Sequence, residues 1–253
     1  MIAELTEREK IILDRLSEKG TVSVTDLARD LGFSEVTIRG DFKVLEEKGW
    51  INRKRGGAAP ALHRDIMERR RIFPAEKNAI ARAAAELVRD GDVIMIEAGT
   101  TTALIVRYLA GKRDLHVVTN STLVFSYARM YPNLQITMTG GEFRRATESL
   151  VGPIALETIA HLNVRLAFVG TDGFTLERGM TTHLMEGAEI VKAMKAHSET
   201  TVLAADSSKY GKIGFSHVLP LSVMDLILTD DNLSSRAETE LREAGINIQK
   251  ARN

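Results

Sequence analysis

Two groups of side chains in this sequence have the types and spacing to hold phosphate. The first is Ser34, Glu35, Thr37, Arg39 and Lys43, followed a little further on by Arg53, Lys54 and Arg55. Arg39 and Lys43 are four residues apart, so on a helix they share one face, while Ser34 and Thr37 stand where a helix of that register would begin. Hydroxyls and open backbone N–H groups at a helix start bind phosphate oxygens, and three cations without an intervening acid add attraction to a polyanion. A solvated charged loop beside an ordinary three-helix core would use the same residue types, so spacing alone leaves both readings open.

The second group lies in Glu97-Ala98-Gly99-Thr100-Thr101-Thr102, directly after the apolar run Val93-Ile94-Met95-Ile96. A glycine permits a sharp turn and three hydroxyls arrive as a helix begins, which presents N–H and O–H donors to an anion. A plain strand-to-helix turn with threonine as its cap is the alternative. Four further apolar runs end in the same style, at Thr119-Asn120-Ser121, Thr139-Gly140-Gly141, Gly170-Thr171-Asp172-Gly173 and Asp206-Ser207-Ser208-Lys209. In an open parallel sheet ligands bind outside the carboxyl ends of the strands, so these ends are expected to converge on one crevice.

The elements that must position these groups follow from periodicity and punctuation. Ile11, Ile12 and Leu16 recur at helical spacing before Gly20. Ser23 and Asp26 have the spacing of a helix start, which predicts a second helix over residues 24–31, stopped by Gly32. A third helix is predicted over 35–48, with Val36, Phe42 and Leu45 facing inward and Gly49 as its left-handed stop. A short strand at 50–53 and a turn through Arg55-Gly56-Gly57-Ala58 would make a basic hairpin beside it. Residues 60–74, charged and without strand character, read as a linker. Beyond them apolar runs at 93–96, 117–119, 135–138, 166–169, 201–205 and 226–228 alternate with helical segments at 76–88, 102–109, 123–130, 153–161, 186–196 and 236–244. Such alternation predicts an α/β domain with a mostly parallel sheet and helices on both faces. The expected division is a basic helical module at 1–59, a linker at 60–74 and an α/β domain at 75–253.

Composition narrows the function classes. The 253 residues carry 34 basic and 34 acidic side chains, so net charge argues for no polyanionic partner and the local clusters must carry that case. Cysteine is absent, which excludes disulfides, thiolate zinc sites and a cysteine nucleophile. The six histidines show no metal-ligand spacing, and neither a metal nor a cofactor is expected. Met1-Ile2-Ala3-Glu4 is acidic where a secretion signal is basic, and no apolar run reaches membrane-spanning length; the expectation is a cytoplasmic protein without a membrane partner.

Val22-Ser23-Val24, Ser34-Glu35-Val36-Thr37-Ile38-Arg39, Asp41, Leu45-Glu46, Gly49 and Arg55-Gly56-Gly57-Ala58 together resemble the helix-turn-helix of the DeoR/GlpR-type family of bacterial transcriptional regulators of sugar metabolism. Glu97 to Thr101, Thr119-Asn120, Gly140-Gly141, Asp172-Gly173, Glu189 with Lys192, and Asp206-x-Ser208-Lys209 fall in the order of that family's sensor domain. The resemblance covers nearly the whole chain. It implies a winged helix-turn-helix followed by a Rossmann-like domain akin to sugar-phosphate isomerases. The implied function is repression of a carbohydrate catabolic operon, relieved by a phosphorylated sugar, in a homo-oligomer of two or four subunits. Ser34, Glu35, Thr37, Arg39, Lys43, Arg53, Lys54 and Arg55 would meet operator DNA. Gly99, Thr100, Thr101, Thr102, Asn120, Gly140, Gly141, Asp172, Gly173, Lys192 and Lys209 would meet the effector. Two positions depart from the pattern: Gly40 replaces the second arginine of Thr-Ile-Arg-Arg-Asp-Leu, and Glu97 replaces the usual aspartate.

The rival is a sugar-phosphate isomerase with an accessory domain. Those enzymes carry Asp-Gly-Ala-Asp-Glu and Lys-Gly-Gly-Gly runs, whereas here Asp172-Gly173 continues as Phe174-Thr175-Leu176 and a later stretch reads Gly179-Met180-Thr181-Thr182-His183. His183 has the chemistry of a base, but a lone histidine near a loop is more often structural or exposed, so no catalytic residue and no enzymatic activity are expected.

Overall fold

The computed structural model describes residues 5–252, and the chain divides after Arg69 into two compact units. Residues 1–4, on which the leader argument rested, lie outside the described residues. In the amino-terminal unit, α1 (Glu7–Lys19) opens on a reciprocal cap: the Thr6 hydroxyl accepts from Glu9 N at 3.2 Å and the Glu9 carboxylate accepts from Thr6 N at 2.7 Å. After β1 (Val22–Ser23), Ser23 caps α2 (Val24–Leu31), which Gly32 ends with a left-handed φ of 71°. Then come α3 (Glu35–Glu47), β2 (Ile51–Lys54), β3 (Gly57–Pro60) and α4 (Arg64–Arg71). The three strands pair antiparallel in the order β1-β3-β2, which is the hairpin wing the glycines predicted.

The third helix buries Ile38, Phe42 and Leu45, spaced i, i+4 and i+7. Val36 does not face inward as expected; it is 79% exposed, because two residues before Ile38 places it about 200° around the helix. Two ion pairs tie α1 to the back of α3. Arg8 grips the buried Asp41 carboxylate in a fork at 2.5 and 2.8 Å, and Lys48 meets the buried Glu9 at 3.1 Å. The stretch read as a linker contains α4, in which Ile66 and Met67 are buried and Met67 belongs to the amino-terminal core. Its flanking charges, Arg64-Asp65 and Glu68-Arg69-Arg70-Arg71, masked that short apolar pair in the sequence.

The carboxy-terminal unit runs α5 (Pro74–Glu86), β4 (Val93–Ile96), α6 (Thr102–Ile105), β5 (Leu115–Thr119), α7 (Thr122–Ala128), β6 (Leu134–Met138), β7 (Glu142–Arg144), β8 (Ser149–Val151), α8 (Pro153–Ala160), β9 (Val164–Val169), β10 (Gly173–Thr175), β11 (Gly179–Thr182), α9 (Met185–Ala196), β12 (Ser198–Ala204), β13 (Ser216–His217), β14 (Leu226–Asp230), α10 (Ser235–Glu243) and β15 (Ile248–Ala251). Seven strands form one parallel sheet in the order β15-β14-β12-β9-β4-β5-β6. The six strands predicted from apolar runs are all in it. The seventh, β15, was missed because Gln249 and Lys250 separate its two buried residues, Ile248 and Ala251. The predicted helix over 102–109 is shorter: α6 gives way to a 3-10 turn at Val106–Tyr108. Among the described residues no helix is long and apolar enough to cross a membrane.

Beneath the sheet, at the amino ends of its central strands, Arg165 of β9 donates to Asp92 at 2.7 Å and to Leu87 O at 2.9 Å. The Arg165 hydrogen bond holds the buried Asp92 carboxyl below the usual carboxylate range, outweighing burial, which pushes it up. A lowered folded value means the contribution is present above the unfolded range, about pH 4, and is lost as pH falls through the folded value. Asp92→Asn is therefore expected to cost roughly 1–3 kcal/mol at pH 7, and the gap to wild type to narrow below about pH 4. Urea melts of the two proteins across pH 3–8 measure this, and a gap that does not change with pH would contradict it.

Candidate functional site

The amino-terminal unit presents a cationic face. Ser34 caps α3 through its hydroxyl, which accepts from Thr37 N at 3.1 Å, so the helix begins where the sequence placed it. Arg39, Lys43, Arg53, Lys54 and Arg55 are all exposed, the last three on β2 and the turn that follows it. The Arg53 guanidinium lies 5.8 Å from the centre of the Phe42 ring, which fixes the wing against α3. Glu35 is the one acid in this group. Its carboxylate accepts from the Thr25 hydroxyl at 2.7 Å and from Arg39 at 3.0 Å, and those two bonds hold it below the ordinary carboxylate range. Thus α2 and α3 are stitched together and Arg39 is held in one direction.

In the carboxy-terminal unit the chain enters the sheet at β4, adds β5 and β6 on one side, then crosses to add β9, β12, β14 and β15 on the other. With right-handed crossovers the connecting helices fall on opposite faces, and the loops after β4 and β9 diverge and leave a crevice. Three predicted loops meet there. Glu97, 8% exposed, reaches across so that its Oε2 accepts from Gly170 N at 3.1 Å. The Asn120 Oδ1 accepts from Ala98 N at 3.0 Å, and the Thr102 hydroxyl donates to Glu97 O at 2.7 Å and Gly99 O at 3.2 Å. Gly99 is required by this turn, because a Cβ would stand 2.8 Å from the Thr102 hydroxyl oxygen. The N–H groups of Gly99, Thr100, Thr101 and Thr102 take no part in the hydrogen bonds of the described residues. Asp172 is held at the same edge, accepting from the Thr182 hydroxyl and from His183 N, both at 2.9 Å.

Other predicted ligand residues are placed differently. Asn120 is 1% exposed and bonds within the chain at both ends of its amide, the Nδ2 donating to Leu150 O at 3.2 Å, so it ties loops together. Gly173 is explained by packing, since a Cβ there would lie 2.2 Å from Lys212 O. Lys192 lies seven residues, roughly 10 Å, along α9 from its first residue and pairs with Glu189 at 2.8 Å. Gly140 and Gly141 follow β6, the edge strand, two strands away from β4. Lys209 is half-buried in a 3-10 turn after β12, beside β9. The ring of His183 is exposed, and only its backbone meets Asp172.

One residue at this edge escaped the sequence reading. Lys77 is only 4% exposed and donates to Ile72 O at 2.7 Å. Its neighbour Glu76 accepts from Asn232, just past β14, at 3.0 Å, which puts the first turn of α5 at the carboxyl end of the sheet. Lys77 shares an i, i+3, i+4, i+7 stripe with the buried Ile80, Ala81 and Ala84, and a lysine on an apolar stripe was the available signal. Lys77, Glu97, Asp206 and Asp230 are all buried although each is ionisable. A cavity of about 410 Å³ opens at the opposite end, lined by Asp92, Asn163, Arg165 and Glu199 among others. It belongs to the structural Asp92–Arg165 pair and is remote from every strand-end loop.

Comparison with known proteins agrees with this two-part reading. A family model described as DeoR-like helix-turn-helix domain matches residues 8–61, and one described as DeoR C terminal sensor domain matches residues 73–231. A putative aga operon transcriptional repressor of Escherichia coli O157:H7 is 30% identical, with 96% of this chain and 93% of that protein covered. The HTH-type transcriptional regulator GlpR of Haloferax volcanii is 33% identical, with 96% of each chain covered. Among solved structures, ribose 5-phosphate isomerase A from Neisseria gonorrhoeae is 20% identical over 53% of this chain and 52% of that one, with a TM-score of 0.40. A likeness of that size carries no functional argument.

Two substitutions test the geometry. Glu35→Gln removes the negative charge from the cationic face and loosens Arg39, and is expected to tighten binding to random-sequence duplex DNA severalfold at low salt, with the gain vanishing at high salt. Unchanged affinity in a fluorescence-anisotropy titration would place Arg39 away from the duplex. Asn120→Ala strands Ala98 N and Leu150 O and is expected to cost about 2–3 kcal/mol of stability in a urea melt, whether or not any ligand is present.

Proposed function

The chain belongs to the DeoR family of DNA-binding transcriptional regulators, and from that membership we propose that it represses a carbohydrate catabolic operon until a phosphorylated sugar enters the crevice between β4 and β9. It is a regulator and not an enzyme, as its named relatives of the same length are. In this reading α3 enters the major groove with Arg39 and Lys43, Ser34 and Thr37 meet phosphate at its start, and Arg53, Lys54 and Arg55 hold the neighbouring backbone. The protein works in the cytoplasm as a homo-oligomer of two or four subunits, which sets two or more winged modules against operator half-sites.

The observation that carries the effector half is the run of open N–H groups at Gly99, Thr100, Thr101 and Thr102, standing at the topological switch point of the sheet. Consecutive unpaired amides beside hydroxyls form a cradle for a phosphate, and that position in a parallel sheet is where ligands sit. Asp172 supplies an acceptor for sugar hydroxyls, and Lys77 and Lys209 supply positive charge from flanking elements. Release of DNA requires the effector to favour the arrangement that cannot bind the operator, with a coupling of about 1–3 kcal/mol.

Thermal-shift screening of phosphorylated sugars against the full chain, followed by operator-binding titrations with each hit, tests the proposal. The expected result is that one sugar phosphate raises Tm and weakens operator binding about 5- to 150-fold, while its unphosphorylated form does neither. Stabilisation by no member of a pentose, hexose and ketose phosphate set would remove the effector half. On the DNA side, the combined replacement of Arg53, Lys54 and Arg55 by alanine is expected to flatten log K against log salt by about 0.9 for each phosphate that is no longer neutralised.

A further inference from the structure

On α3 Arg39, Val36, Lys43, Gly40 and, at the last residue of the helix, Glu47 face away from the core within an arc of about 100° centred near Val36. Val36 is the second residue of the helix, and at 79% exposure it is an apolar side chain that the protein leaves in water. Charge surrounds it: Arg39 is three residues on, Lys43 seven, and the basic wing is fixed to the same helix through Arg53 and Phe42. A face of that charge suits a polyanion. Gly40, one turn beyond Val36, is not demanded by the chain itself, since its φ is not left-handed and a Cβ there would meet nothing within 4 Å. A glycine that weakens the helix without an internal reason leaves room for something outside to come close.

Resting on the DNA-binding reading, we propose that Val36 is a specificity-determining residue that reads a thymine in each operator half-site by contact with its C5 methyl group, with Gly40 leaving the space for close approach. Of the groups that base pairs display in the major groove, the thymine methyl alone is apolar. The amino-terminal turn of a recognition helix is the part that reaches base edges, and Val36 is the apolar group it carries there. An operator thymine opposite Val36 buries both methyl surfaces, whereas a cytosine there removes the methyl.

The test begins with selection of high-affinity sites from random duplexes by the full-length protein. Each thymine of the selected site is then replaced in turn by uracil, which removes only the methyl. Wild type is expected to lose about fourfold in affinity at one thymine per half-site, the worth of one buried methyl. Val36→Ser should bind the thymine site about fourfold more weakly than wild type and be indifferent to uracil at that position, while Val36→Ile should keep the sensitivity. Because the side chain is exposed, both variants should melt with wild type, and circular dichroism verifies that. Wild-type indifference to every uracil replacement, or equal sensitivity in Val36→Ser, overturns the assignment. So does a Val36→Ser variant that binds DNA normally but loses association with a protein. Failure of the selection to enrich any sequence would bring down the DNA-binding reading itself, and this inference with it.

Discussion

The carboxy-terminal unit depends on one topological constraint: the first strand of its sheet lies in the interior and must be flanked by the second and the fourth. A parallel sheet sends every carboxyl end to one edge, and the reversal at β4 parts the loops that leave it and β9. Parted loops expose backbone polar groups, which are costly unless satisfied. Glu97 on Gly170 N, Asn120 on Ala98 N and the Thr119 hydroxyl on Ile96 O, at 2.6 Å, close that gap from inside. What the network leaves open is the next stretch of amides, Gly99 to Thr102, and it leaves them together and fixed. The binding capacity proposed for the crevice is thus the remainder of a structural solution.

The amino-terminal unit meets a different constraint, that a domain of about 60 residues buries little surface and has few contacts to spare. Its third helix is held wholly from behind, by Ile38, Asp41, Phe42 and Leu45. The Arg8–Asp41 and Lys48–Glu9 pairs place charge at the back of α3 without leaving either carboxylate buried alone. On the front, Arg39 pairs with Glu35, whereas Val36 stands in solvent and a Cβ at Gly40 would meet nothing within 4 Å.

Legibility in the sequence followed the strength of the local signal. Ser23, Ser34, Gly20, Gly32 and Gly49 mark helix boundaries by caps and left-handed stops, and the structure places those ends within a residue of the prediction. The apolar runs named six of seven sheet strands because central parallel strands are buried on both faces. Short elements failed that criterion: β15 carries only two buried side chains, and α4 hides its apolar pair among charged neighbours on either side. Roles were harder than elements. Asn120 looked like a ligand residue because its type and loop were right, yet only the folded chain shows both amide ends already used. Lys77 was passed over for the converse reason: only its helix was predicted, and a cation on an apolar stripe draws attention once its burial is seen.

The glutamate at position 97 gains a physical reading from the same geometry. An aspartate would retract the carboxylate by roughly one bond length, about 1.5 Å, and a 3.1 Å bond to Gly170 N would not survive that without a shift of the loop. The longer side chain therefore lets this chain span the switch point by itself. Its Oε2 stands under both turns, 3.3 Å from where a Cβ on Gly170 would be and 4.0 Å from one on Gly99. One buried side chain thus sets the spacing of the two turns that leave the switch point.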